Sequence, residues 1–261
     1  MAFNDLDSQN LTIPRGKALF HPFLTGTKTL DPKGSFDIGN VPGLTLSVDV
    51  QRKDHYRSSN GMMTLDNTFI TKKEYSGALV TDDMGETNKA LWALGQVSTV
   101  TATSLTAQTQ NITGVKGRTY QVGVSPANPT GHKKITVTAI ASYVAGTDYI
   151  VDSIQGLVTI PTTSTIPDNT ALTINYSVAV STRTRISAPD STGIEGRLIV
   201  IQDNPVGANK DFIVPYIQIN PSGDLSLIAD PESDAFSQIS LQCKVLKLGS
   251  YDYYYEESRA V

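Results

Sequence analysis

Asp54-His55-Tyr56-Arg57 places a carboxylate, an imidazole, a phenol and a guanidinium at four consecutive positions. At a loop tip, such residues suit a charged and aromatic contact with another subunit. Complementary charges set its register and the ring supplies contact area. A solvated loop would hold the same four residues equally well. A second group stands near the C-terminus, where Tyr251, Tyr253, Tyr254 and Tyr255 are followed by Glu256 and Glu257. Tyrosine gives a large contact area for little loss of side-chain freedom. That favours a subunit-binding arm over a disordered tail.

No comparable constellation points to catalysis. His21, His55 and His132 are far apart and none has a partner at metal-ligand spacing. The sequence lacks a Gly-x-Ser-x-Gly elbow, a dinucleotide fingerprint and a phosphate-binding loop. Asp82/Asp83 and Glu256/Glu257 pair carboxylates, but a helix cap and a solvated tail account for them without acid–base chemistry. Cys243 is the single cysteine and falls on the apolar side of an alternating run, so it reads as a small buried hydrophobe. The expectation is a protein that is not an enzyme and needs no metal or cofactor.

The 261-residue chain is long enough for one large β domain or two smaller ones. It is only 39% hydrophobic and 18% charged, with Ser and Thr filling the difference. This balance suits a subunit that buries surface in an assembly, and equally a plain Thr-rich β protein. A net charge of −4 argues against tight nucleic-acid binding by phosphate neutralisation. No run approaches the ~18–20 apolar residues of a membrane span. The first ten residues lack the basic and apolar regions of a signal peptide, so the chain is expected to stay in the cytoplasm until it assembles.

The elements that must position these groups are mostly strands. Residues 1–14 read as an N-terminal arm, and 17–23 as a short strand ended by Pro22. After Pro42-Gly43, Leu44, Leu46, Val48 and Val50 alternate with polar residues, the pattern of a half-buried strand. A polar loop over 52–66 then leads to a second extended run over 68–80, so 15–96 holds a long hairpin followed by one helix. That helix is expected to be capped by Thr81, Asp82 and Asp83, to bury Thr87, Ala90, Leu91 and Leu94, and to end at a left-handed Gly95. Closely spaced turn signals over 97–185 divide five short strands, at 120–124, 135–140, 149–151, 157–160 and 172–180, into a β-rich lobe or insertion. Residues 183–196 read as a linker. Over 186–248 come a run at 198–201 without alternation, an extended segment at 212–219 with Pro215 at an edge or bulge, and a last strand alternating Ile239, Leu241, Cys243 and Val245. Residues 224–228 follow a turn, and 249–261 form the C-terminal arm.

Several pieces, in this order, carry a resemblance. They are Gly16-Lys17-Ala18-Leu19-Phe20, Gly39-Asn40-Val41-Pro42-Gly43, Asp54-His55-Tyr56, Ser59-Asn60-Gly61 and Asn88-Lys89-Ala90-Leu91-Trp92-Ala93-Leu94-Gly95, then Tyr120-Gln121-Val122-Gly123, the 146–152 stretch and Val178-Ala179-Val180-Ser181-Thr182. Together they resemble the major tail tube proteins of long-tailed, siphovirus-type bacteriophages. Met62-Met63-Thr64-Leu65-Asp66-Asn67 departs from the basic run that similar proteins often carry there. The resemblance implies a mainly β, sandwich- or barrel-like tail tube fold over 1–261, with one short helix and long hairpins that join an inter-subunit β-barrel. It implies hexameric rings stacked into a hollow conduit for DNA ejection, in the virion tail and assembled in the host bacterial cytoplasm. DNA would pass without specific binding. The other implied partners are tail terminator, tail-tip and tape measure proteins, with no membrane. By this reading 44–50, 69–79, 198–201 and 212–219 line the lumen, while Asp54 to Arg57 and the four tyrosines make inter-subunit or inter-ring contacts. A capsid decoration or tail-tip subunit and an Ig-like binding module are the alternatives.

Overall fold

Alternation of apolar and polar side chains runs through most of the chain, and among the described residues the backbone answers it with sixteen strands and one helix. The computed structural model describes residues 11–59, 61–191, 193–230, 232 and 234–259. In chain order the elements are β1 (Gly16–Pro22), β2 (Phe36–Asp37), β3 (Gly43–Ser59), β4 (Met62–Thr81), α1 (Glu86–Trp92), β5 (Gln96–Ala102), β6 (Leu105–Gly114), β7 (Arg118–Gln121), β8 (Ile135–Ile140), β9 (Ile150–Asp152), β10 (Leu157–Ile160), β11 (Thr170–Val178), β12 (Ser181–Ser187), β13 (Ile194–Gln202), β14 (Lys210–Pro221), β15 (Ile239–Val245) and β16 (Tyr255–Ser258). The fold is mainly β, with antiparallel sheets. Two compact units form: residues up to Val97 with those from Ile186 onward, and an inserted unit, Ser98–Arg185. The chain passes between them along β5 and β12, which pair with each other.

The first unit is built on one antiparallel sheet in the order β2-β1-β13-β14-β15-β4-β3. Along its far side β14 is shared: Ile217–Pro221 pair with β15 and Lys210–Ile213 with β16. The sheet does not close into a barrel among the described residues, since β2 and β3 remain its two ends. Its core follows the alternation. Ile239, Leu241, Cys243 and Val245 of β15 are all buried, opposite Leu79 and Tyr75 of β4 and Ile217 and Ile219 of β14. Desolvation pushes the Cys243 thiol up to about 12, so it stays protonated in the fold. Pro215 sits at a bulge, where Pro215 and Tyr216 together face Arg197 of β13. The irregularity lets a central strand carry a residue without a backbone donor.

Helix α1 differs in detail from its sequence expectation. Gly85 is its N-cap and no side chain caps it. Thr81 and Asp83 instead build the preceding turn, accepting bonds from the Asp83 and Gly85 amides at 3.1 and 2.8 Å. Asn88, Ala90 and Leu91 are buried, whereas Thr87 is exposed. Asn88 Nδ2 donates to the Ile38 and Asp83 carbonyls at 2.8 and 3.0 Å, fastening the helix to the segment before β3. At the other end Leu94 takes the left-handed conformation (φ 49°), and the Gly95 amide donates back to the Ala90 carbonyl at 2.8 Å. The glycine is therefore one position beyond the expected left-handed residue. A Cβ at Gly95 would fall 2.0 Å from the Ser187 carbonyl oxygen, which explains why the position is bare.

The inserted unit has its own core between two three-stranded antiparallel sheets, β6-β11-β8 and β7-β10-β9. Leu172, Ile174, Tyr176 and Val178 of β11 all point inward, against Val158 and Ile160 of β10 and Val122, Ile135, Ile140 and Ile166. Val180, the last residue of the strand expected over 172–180, lies beyond β11 and is exposed.

Two sequence expectations about element boundaries fail. The 52–66 segment is not a loop: β3 runs unbroken to Ser59 and β4 starts at Met62. Residues 183–187 belong to β12, whose Ser/Thr/Arg alternation has no apolar face to betray it. After the turn expected at 220–223, residues 224–228 belong to no strand, and Leu227 and Ile228 are exposed.

Candidate functional site

The β3–β4 hairpin begins as part of the sheet and continues beyond it. Tyr75–Val80 of β4 pair with β15 on one side and β3 on the other, but Met62–Glu74 pair with β3 alone. Those thirteen residues and their partners therefore form a two-stranded ribbon about 40 Å long at ~3.3 Å per residue. Both ribbon edges are open, with a row of backbone donors and acceptors that no strand of the described chain satisfies. The two-residue connection explains the length. Asn-Gly is the preferred pair for a tight hairpin reversal, and Gly61 has φ +75°. Once the turn sets the register, pairing carries 52–59 into a strand although both its faces are polar.

Strand alternation separates the residues of the Asp54–Arg57 cluster. Asp54 pairs with Thr68 and Tyr56 with Leu65 on one face, and the Thr68 hydroxyl donates to Asp54 Oδ1 at 2.9 Å. His55, opposite Asn67, and Arg57, opposite Thr64, take the other face. His55 Nδ1 lies 2.6 Å from Oδ1 of Asp66, the residue extruded by a bulge between the 55 and 56 pairings. All four are exposed, so they form two surfaces of a ribbon and not one contact cluster. Nearer the sheet, Asp49 faces Glu74, a like-charge pair that would weaken the ladder. The Lys72 ammonium, 2.9 Å from Glu74, offsets this and holds the Glu74 carboxyl below its usual range.

What the sequence reading missed is the apolar content of this ribbon. On β3, Leu46 and Val48, whose alternation predicted a half-buried strand, are exposed; in the ribbon, Met62, Met63, Leu65, Phe69 and Ile70 of β4 are all exposed, and Met63 is 74% accessible. Their alternation is hidden because bulges at residues 66 and 71 break the period-2 pattern of β4. At the ribbon's base, Leu44 and Leu46 line an open cleft of ≈ 710 Å³ with Ala18, Val200, Val214 and Val245.

The C-terminal tyrosines fold onto their own chain. The Tyr253 ring lies 4.7 Å from that of Tyr75, and Tyr254 meets Tyr75 edge-on at 6.0 Å. Tyr255 opens β16, paired with Ile213, and its hydroxyl accepts a bond from the Asp252 amide at 2.9 Å. Tyr251 remains exposed. Tyr253 and Tyr254 thus share a contact that does not include the other two, and none of the four touches Asp54 to Arg57 in the ring contacts and pairings described. Residues 1–10 of the N-terminal arm and 260–261 of the C-terminal arm lie outside the described residues. Ile13, within the former arm, bridges to Val206.

A second group unmarked in the sequence sits at the Pro215 bulge. The Tyr216 hydroxyl donates to Glu195 at 2.7 Å, and the Lys28 ammonium bonds both. Desolvation opposes the charges of Lys28 and Glu195, but their mutual bonds prevail, raising the lysine pKa and lowering that of the carboxyl. Long sequence separation leaves such a group no local signal.

Among the described residues no three His, Cys, Asp or Glu side chains converge to hold a metal ion, and no helix is long and apolar enough to cross a membrane. No curated protein matches the chain. The family described as "Protein of unknown function UCP028589" has a model that matches residues 23–248, most of the chain, and the chain belongs to that family.

Proposed function

We propose that the chain is a structural subunit of a phage tail tube, assembling as stacked hexameric rings into a hollow conduit for DNA ejection. The observation that carries this reading is the projecting ribbon, with both edges open and apolar side chains exposed. An isolated two-stranded hairpin is marginal in water, and an open apolar edge invites pairing with another chain. A neighbouring copy can complete the ribbon by adding a strand and can present apolar surface to the cleft at its base. In the virion, that arrangement would leave polar faces toward a lumen through which DNA passes without being held.

Magnitudes favour a many-copy assembly over a dimer. Fully covering Met63, Leu65, Phe69 and Ile70 contributes about 1.5–3 kcal/mol each. Bringing two molecules together costs about 4–15 kcal/mol, which consumes that gain. Contacts repeated around a ring and between rings make association favourable. Tail terminator, tail-tip and tape measure proteins are the partners this role implies, and catalysis, a cofactor and a membrane have no part in it.

A binding module is the second reading, favoured by the inserted unit, which encloses a core of its own between two sheets. Negative-stain electron microscopy with sedimentation, at rising concentration and with a tail-tip seed, separates the two. The tube reading expects hollow rods with a regular axial repeat. Monomers that persist at high concentration with the seed present would refute it.

A further inference from the structure

The inserted unit is charged differently from the rest of the chain. Within 98–185 stand Lys116, Arg118, Lys133, Lys134, Arg183 and Arg185, against Asp148, Asp152 and Asp168. The unit therefore carries +3 and the remainder −7. None of the three aspartates neutralises a base. Asp148 accepts bonds from the Val144 amide and from the Thr165 amide and hydroxyl, at 2.9, 3.1 and 2.7 Å. Asp152 and Asp168 accept the Gln155 and Lys116 amides at 2.9 and 2.8 Å. Every ion pair found among the described residues lies in the other unit.

Two of these bases converge. Arg183 and Arg185 project from the same side of β12, and both donate to one neutral oxygen, Thr130 Oγ1, at 3.2 and 2.8 Å. Their terminal nitrogens thus lie within about 6 Å of each other, a distance at which like charges repel unless an anion stands between them. Arg185 Nε is buried and has no hydrogen-bond partner. Buried donors are normally satisfied, so this orphan leaves the pair short of acceptors; Nε itself is enclosed, and the exposed terminal nitrogens are the groups an anion would meet. Lys134 Nζ, on the Val180 carbonyl at 3.2 Å, adds a third cation near the start of β12. Burial first, and the charge of Arg183 second, hold His132 below the usual histidine range.

We propose that Arg183, Arg185 and the Thr130 turn form a binding site for a phosphate-type oxyanion. Two guanidiniums present planar forks that match phosphate oxygens, and the hydroxyl they share can turn to donate to the incoming ion. The site belongs wholly to the inserted unit and holds whether or not the chain builds tubes.

The test uses the full-length ¹⁵N-labelled chain at fixed ionic strength, titrated with inorganic phosphate and, separately, with a short linear polyphosphate. Saturable shifts of the Thr130 amide and the Arg185 Nε–H are expected below about 10 mM ligand. Arg183→Gln or Arg185→Gln should weaken binding about tenfold or more, and Lys116→Gln should leave it within about twofold. Equal affinity per phosphate assigns a single ion, and a disproportionately tighter polymer assigns a chain of phosphates. Thr130→Val separates a ligand site from an internal brace, because it removes the shared acceptor and keeps both charges. Binding that persists in Thr130→Val, weakened by about tenfold or less for the one lost hydroxyl donor, supports the site, and its complete loss assigns the arginines to an internal brace and overturns it. No saturable shift with either ligand, or binding unchanged in the Arg183→Gln/Arg185→Gln double variant, overturns it. If the arginine variants do not fold, the wild-type melting temperature decides: a rise with phosphate but not with an equal ionic strength of chloride supports the site, and no difference overturns it.

Discussion

Glu195 shows how much a single side chain can depend on its setting. Its carboxyl lies beside Lys28 and the Tyr216 hydroxyl and is held below the usual glutamate range despite desolvation. The stabilisation it contributes is therefore full above the unfolded value of about 4.3 and is lost as pH falls through the lower folded value. Lys28 runs the other way. Its raised pKa contributes below about 10.5, and that contribution disappears as pH rises through the folded value. Glu195→Gln should flatten the acid limb of a melting temperature–pH profile, with a loss near neutrality of about 1 kcal/mol or less, because the pair is partly solvated. An unchanged acid limb would show that other carboxylates set it. None of this was legible in the sequence, where 167 positions separate Lys28 from Glu195. Cys243 was legible, because Ile239, Leu241 and Val245 keep strict period with it and the pattern alone buries it.

Among the elements, the β3–β4 ribbon is the one whose removal tests most. Gln51 pairs with Lys72, so replacing 52–71 by Asn-Gly leaves a two-residue reversal in register and deletes the outer ribbon. Since none of the deleted residues whose side chains are described is buried, the shortened chain should keep its melting temperature to within a few degrees. It should form no rods under conditions where the parent does, as judged by sedimentation. Rods from the shortened chain would remove the ribbon from the assembly contact. Of the strands at the ribbon's base, 239–245 was readable because it alternates against a core, whereas 44–50 alternates in sequence but leaves Leu46 and Val48 exposed. The outer ribbon was not readable, because its order comes from a turn and backbone pairing, and period-2 hydrophobicity senses neither. The Asn60-Gly61 pair was the available signal, and the polarity of 52–59 masked it. Similarly, β12 holds its place with Thr and Arg side chains, and polar strands of that kind look like linkers. Pro215 gave a sound clue, since a missing donor in a central strand needs an irregularity, and the bulge provides it.

For the molecule as a whole, the two units have separate cores, each enclosed by its own strands. Calorimetry of the full chain should resolve two transitions. A chain with 98–185 replaced by a short Gly/Ser linker should retain one of them, since β5 and β12 pair and so hold the two ends of the excision close together. A single transition in the full chain would show that the cores melt as one. The nesting of one unit inside the sequence of the other also fixes how the chain bears load. A pull applied near residues 11 and 259 passes through the sheet of the outer unit, and tension reaches the insert only after strands on both sides of it have been stripped away. The insert is mechanically last in line, and its resistance to stretching is set first by the unlocking rate of the strands around it.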